Sequence, residues 1–206
     1  MKNAREENIR SLKLVPTGLF DFEDYGEIAE TICSVLDISE LEAYRRLFCE
    51  AISRGYSVCS AASEFGVTPH VYDESMERLY CMTDAFVFEL VVGHLQDNSQ
   101  EIDERVADAV QQNTSPGDRM LVLGDGIGTD SLRFALAGYD VTYFDFDGPS
   151  ADFAEYRFQE AGIRDDISTL HSPEDIPKNY FDTLICRRCL NTFRNPQRLL
   201  EISGTI

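Results

Sequence analysis

The stretch "MLVLGDGIGTDSL", Met120 to Leu132, sets three glycines at every second position behind a short apolar run. Gly124, Gly126 and Gly128 each cost backbone entropy in any regular element. A tight turn or a ligand must therefore need bare backbone there. Residues 119–124 read as a short buried strand and 129–138 as a helix ended by Gly138. A strand that runs into a glycine-rich turn opening a helix brings backbone close to a ligand and faces free N–H groups toward it. The G-x-G-x-x-G frame of dinucleotide binders fails, because its third position falls on Thr129 or Ser131. The spacing present is G-x-G-x-G.

Working outward, "YDVTYFDFD" (139–147), "DISTLH" (166–171) and "YFDTLIC" (180–186) read as three more strands, with a helix over 149–162. Strands alternating with helices at this pitch indicate a parallel sheet covered by helices. Upstream, from about 24 to 112, the rhythm is helical. Ile28, Ile32, Val35 and Leu36 share one face, as do Leu41, Tyr44, Leu47 and Phe48, with Ser39 as N-cap. Residues 73–95 read as one long buried helix and 101–113 as another, broken by "TSPGD". Residues 1–20 read as coil or a packed arm. The expected domains are 1–113, all helical, with a lid, substrate or dimerisation role, and 114–206, α/β.

The chain has 206 residues, 43% hydrophobic and 11% aromatic, with 18 basic against 37 acidic residues and a net charge of -19. That field repels phosphate backbones and anionic membrane surfaces, so nucleic-acid and membrane partners are not expected. No run approaches the roughly 18–20 apolar residues of a membrane span. Six cysteines with no secretory signal read as reduced thiols of the cytoplasm. Cys186 and Cys189 read as strand-end thiols rather than half a zinc site. Residues 57–80 resemble a helix-turn-helix. Their would-be recognition helix carries Asp73, Glu74 and Glu77 and no Lys, which makes a helical hairpin the better reading. His70, His94 and His171 are scattered.

Asp145 lies seventeen residues after Gly128, at the carboxyl end of the second strand, where an acid can accept hydrogen bonds from both hydroxyls of a ribose. Together with G-x-G-x-G behind a strand, it resembles the class I S-adenosylmethionine-dependent methyltransferases. "NYFDTLICRRCLNTFRNPQRLLEI" (179–202) is similar to that family's fourth strand and following helix, so the resemblance covers roughly 118–202. It implies a Rossmann-like parallel sheet, truncated after strand four, behind an N-terminal all-helical domain. It also implies S-adenosylmethionine as cofactor, with Gly124, Gly126 and Gly128 against its methionine part and Asp145 on the ribose. Phe146 would flank the adenine, Ser172 would approach it, and Cys186 and Arg187 would sit below the reactive methyl.

The family's acid two residues before the first glycine is Val122 here, which leaves Asp125 or Asp130 to reach the cofactor's amino group. Its usual acid after strand three is replaced by His171-Ser172. Methyl transfer needs alignment more than acid–base chemistry, and the catalytic candidates are Tyr72, Tyr80 and Arg187. The expected reaction is methylation of a small-molecule acceptor; the alternative is a non-catalytic module binding a partner chain. With no sequence for strands five to seven, strand four is an open apolar edge. A homo-oligomer, a partner chain or a longer protein is expected to cover it.

Overall fold

The computed structural model describes residues 25–68, 71–95 and 97–187. The readings of 1–20, His70, Cys189 and the helix after strand four lie outside them. Six helices come first: α1 (Gly26–Leu36), α2 (Glu40–Ile52), α3 (Tyr56–Glu64), α4 (Glu74–Met82), α5 (Ala85–Leu95) and α6 (Asp97–Asn113). The alternating part follows as β1 (Arg119–Leu123), α7 (Thr129–Leu136), β2 (Asp140–Phe144), α8 (Pro149–Glu160), β3 (Ile167–Leu170) and β4 (Thr183–Cys186).

Local chemistry sets the helix ends. The Ser39 hydroxyl accepts from the Glu42 N–H at 3.3 Å, and Glu40 and Glu42 place charge where the helix dipole favours it. The expected single helix over 73–95 is corrected to two. Thr83 is extended (φ -101, ψ 142), and its hydroxyl accepts from the Ala85 N–H at 3.2 Å, starting α5 afresh. Arg46 grips the next residue, Asp84, with two bonds of 2.6 and 2.5 Å, and its guanidinium lies 3.8 Å from the Phe88 ring centroid. Side-chain bonding to the backbone at Thr83 outcompetes helix continuation, although the apolar run on either side hides it.

The four strands are parallel in the order β3-β2-β1-β4, so the sheet is the expected Rossmann-like one. Leu121 lies opposite Thr142 on one side and Leu184 on the other. β1 is buried on both faces, as its unbroken apolar run requires. Met120 and Val122 pack with Phe134, Tyr143 and Phe158, whereas Leu121 and Leu123 pack with Phe144 and Ile176. The helical layer has its own core of Ile32, Leu47, Val87, Phe88 and Val92, which also takes in Ile127 and Phe153 from the alternating part. Each such side chain removed from water contributes about 1.5–3 kcal/mol. Sharing that core holds α5 against the turn that follows β1.

Among the described residues no helix is long and apolar enough to cross a membrane. Cys33, Cys49, Cys59 and Cys81 are not disulfide-bonded. The expectation of reduced thiols is corrected at Cys186, which is disulfide-bonded.

Candidate cofactor-binding site

The turn after β1 holds Gly124, Gly126 and Gly128 at φ 62, 56 and 73, a region that costs any other residue strain. Beyond that shared requirement the three glycines are held differently, and at Gly126 and Gly128 a side chain would also collide. The Gly124 N–H donates to the Phe144 carbonyl at 2.7 Å, extending the β1–β2 ladder by one step. Gly126 is pinned at both ends by β2. Its N–H donates to Asp145 Oδ2 at 2.5 Å, and its carbonyl accepts from the buried Tyr143 hydroxyl at 2.7 Å. A Cβ at Gly126 would run into Leu90 Cδ1 of α5. Gly128 precedes α7, and a Cβ there would lie 2.6 and 2.7 Å from Phe158 ring carbons and 2.9 Å from the Ala154 Cβ. The third glycine thus lets α7 and α8 pack together.

Asp145 leaves β2 at its carboxyl end. One carboxylate oxygen takes the Gly126 N–H, and the other takes the Phe146 N–H at 2.8 Å. Burial pushes its carboxyl up to about 6, against the pull of those two bonds. His171 Nδ1 lies 3.0 Å from the Asp145 carbonyl. Asp125 accepts from the N–H groups of Asp130 (3.1 Å) and Ser131 (2.7 Å), capping α7, and burial beside the charge of Asp130 pushes it up to about 7. The bond from Ser131 is the kind that relieves a helix N-terminus of an unmatched donor.

Arg187, just past β4, donates to both oxygens of Asp130 at 3.0 and 3.1 Å and also to Asp103 Oδ1 of α6. Asp130 and Asp103 are only 5% and 3% exposed, so each needs this cation. His94 Nδ1 lies 3.2 Å from the other Asp103 oxygen, and burial holds its imidazole below the usual histidine range. Phe146 is stacked by Tyr80 of α4 (centroids 5.6 Å, 22°), and Tyr80 in turn by Phe86 (4.8 Å, 15°). Burial, helped by the charges of Asp145 and Glu89, pushes the Tyr80 hydroxyl up to about 12.

The structure therefore brings together Gly124, Asp125, Gly126, Gly128, Asp130, Asp145, Phe146, Tyr80 and Arg187. Cys186 closes β4 opposite Leu123. Ser172 donates to Glu174 at 2.7 Å, and Tyr72 lies in the stretch leading into α4. Sequence reasoning missed Tyr143, Leu90 and Asp103, and read His94 only as one of three scattered histidines. Tyr143 had a signal: it stands two residues before Asp145 on a strand, and so on the same face.

This glycine turn, joined to an acid at the end of the adjacent parallel strand, makes the alternating part a Rossmann-like domain. Residues 121–202 match a family model described as a methyltransferase domain. The chain matches no curated protein. Among solved structures it is similar to a methyltransferase from Geobacter sulfurreducens in complex with S-adenosyl-L-homocysteine. That likeness has 22% identity, 50% of this chain, 43% of that one and a TM-score of 0.41. It is also similar to phosphoethanolamine N-methyltransferase 2 of Haemonchus contortus (18% identity, 56% and 28% covered, TM-score 0.48). A third is the [4+2]-cyclase SpnF (20% identity, 73% and 53% covered, TM-score 0.46). The chain spans about half or less of the length of the solved chains it matches.

Proposed function

We propose that this chain binds S-adenosylmethionine on the turn between β1 and α7 and directs its methyl group to a small-molecule acceptor. The observation that carries this reading is the bond between Asp145 Oδ2 and the Gly126 N–H, which fixes the acid that follows β2 against the bare backbone of the turn. The residues present fit the cofactor by their chemistry. Each carboxylate oxygen of Asp145 takes one N–H and keeps a second acceptor site for a ribose hydroxyl. When bound, the cofactor supplies a methyl group on a sulfonium that is already a good leaving group. The chain's own task is then to hold and align. Asp145 would hold the ribose, Gly124 and Gly126 would let the backbone approach, and Phe146 would offer a ring face to the adenine. The Arg187 guanidinium, spent on Asp130 and Asp103, would fix the end of β4 beside the turn.

Calorimetric titration with S-adenosylhomocysteine tests the reading: wild type is expected to bind and Asp145→Ala to lose most of the affinity. A folded wild type that gives no heat at millimolar ligand, with the Leu90→Ala variant equally silent, overturns it. One observation favours a second reading, a non-catalytic module of the same fold. Val122, where the resemblance expects an acid, is 1% exposed and packed into the core. Binding without methyl transfer to any of a broad panel of small acceptors would select that module.

A further inference from the structure

Two side chains of the protein lie on the surfaces that the proposed cofactor would need. Leu90 Cδ1 sits over the bare backbone of Gly126, where even a Cβ would collide with it. Tyr80 covers the ring of Phe146 at a centroid distance of 5.6 Å. A third ring between them would need two van der Waals spacings of about 3.5 Å each, more than the observed gap. The hairpin that carries both is pressed down. A Cβ at Gly148, next to the start of α8, would lie 2.5 Å from the Cys81 carbonyl oxygen at the last turn of α4. We infer that the α4–α5 hairpin fills the cofactor cradle itself, with Leu90 on the glycine turn and Tyr80 on Phe146, and that S-adenosylmethionine enters by displacing these two side chains.

The inference rests on the reading that this turn holds S-adenosylmethionine. The anchoring of the hairpin says what moves. Leu79, Val87, Phe88, Val91 and Val92 are buried in two helical cores, and Asp84 between the helices is held by Arg46. Tyr80 and Leu90 are only half-buried. They can leave while the backbone of α5 stays in place. A site closed by its own side chains binds more weakly than its contacts allow, because affinity is divided by the open fraction. Trimming a closing side chain therefore strengthens binding, the reverse of what trimming a ligand contact does.

Two measurements test this. Calorimetry with S-adenosylhomocysteine is expected to give about three- to tenfold tighter binding for Leu90→Ala than for wild type. The chain has no tryptophan, so Tyr80→Trp places a single reporter at the stack. Its emission is expected to shift to the red as S-adenosylhomocysteine drives the ring into water. If wild type binds, Leu90→Ala binds no tighter and the Trp emission stays or moves to the blue, the occlusion is overturned while the cofactor reading stands. If wild type is silent and Leu90→Ala binds, both stand. If neither binds, both fall. Should Tyr80→Trp fail to fold by circular dichroism, the Leu90→Ala affinity decides alone.

Discussion

Gly128→Ala separates two reasons for a glycine in this turn, and Gly162→Ala supplies the control. The two positions share almost the same backbone, φ 73 and φ 71. A methyl at Gly162 meets nothing within 4 Å, whereas one at Gly128 meets Phe158 at 2.6 and 2.7 Å and Ala154 at 2.9 Å. Left-handed backbone costs an L-residue about 1–2 kcal/mol at either site. Phe158 and Ala154 are fully buried and have nowhere to retreat, and overpacking of this kind costs about 1–3 kcal/mol more. Gly128→Ala is thus expected to lose about 2–5 kcal/mol and Gly162→Ala about 1–2 kcal/mol. Urea unfolding followed by circular dichroism measures both. In a chain of this size the difference corresponds to a Tm gap on the order of 2–4 °C per kcal/mol. Phe158→Leu in the Gly128→Ala background should recover part of the loss, since contacting sites couple. Equal losses at the two glycines, with no coupling to Phe158, would refute the assignment of Gly128 to helix packing.

Asp145 links pH to binding and to stability in opposite directions. Its carboxyl titrates near 6, above its ordinary 3.8, so its contribution to stability is full below about 4 and is lost as pH rises through about 6. Ribose hydroxyls need the ionised form, so S-adenosylhomocysteine affinity should fall toward tenfold per pH unit below about 6; a flat calorimetric profile from pH 5 to 8 contradicts this. Arg187→Ala leaves Asp103 and Asp130 buried without their cation and should cost about 3–5 kcal/mol at pH 7. Burial pushes Asp103 up, but the bonds and charges of Arg187 and His94 together hold it below the usual range, so that cost should shrink in urea melts near pH 3; an unchanged cost contradicts it. β4 pairs only with β1 among the described strands, and exposed edges invite other chains. Light scattering is therefore expected to detect association at high micromolar concentration, and a monodisperse monomer would count against it.

The sheet was legible because its signals are local. An unbroken apolar run, a glycine turn and an alternation of strands and helices suffice to mark β1 to β4 as strands of a parallel sheet, although not their order across it. Asp145 was legible for the same reason, as an acid at a strand end. The partners of the site residues were not. Arg187 reaches carboxylates 57 and 84 positions away, and no short window relates Gly126 to Leu90 or Gly128 to Phe158. The break at Thr83 had a local sign, a hydroxyl and an acid ahead of Ala85, but the apolar residues flanking it masked it. Asp125 and Asp130 read as candidate ligands because a window shows an acid's position and hides whether a helix end or a guanidinium already claims it.

The pairing of β1 has a consequence for synthesis. Both neighbours of this central strand are encoded after it, and Arg119 meets its partner Asp182 across a separation of 63 residues. At ribosomal rates of about 5–20 residues per second, "MLVL" leaves the exit tunnel roughly 3–13 s before β4 can follow. During that interval the nascent chain displays a strongly apolar strand with one side unpaired. The helix encoded just upstream, α6, is by then available to lie against it, since its Ala107 and Val110 share a core with Met120 and Val122. The ribosome thus hands the cell a partly built sheet whose first shelter is the helix encoded just before it, and a cell short of holding chaperones should lose the protein at this stage, before degradation of the finished fold.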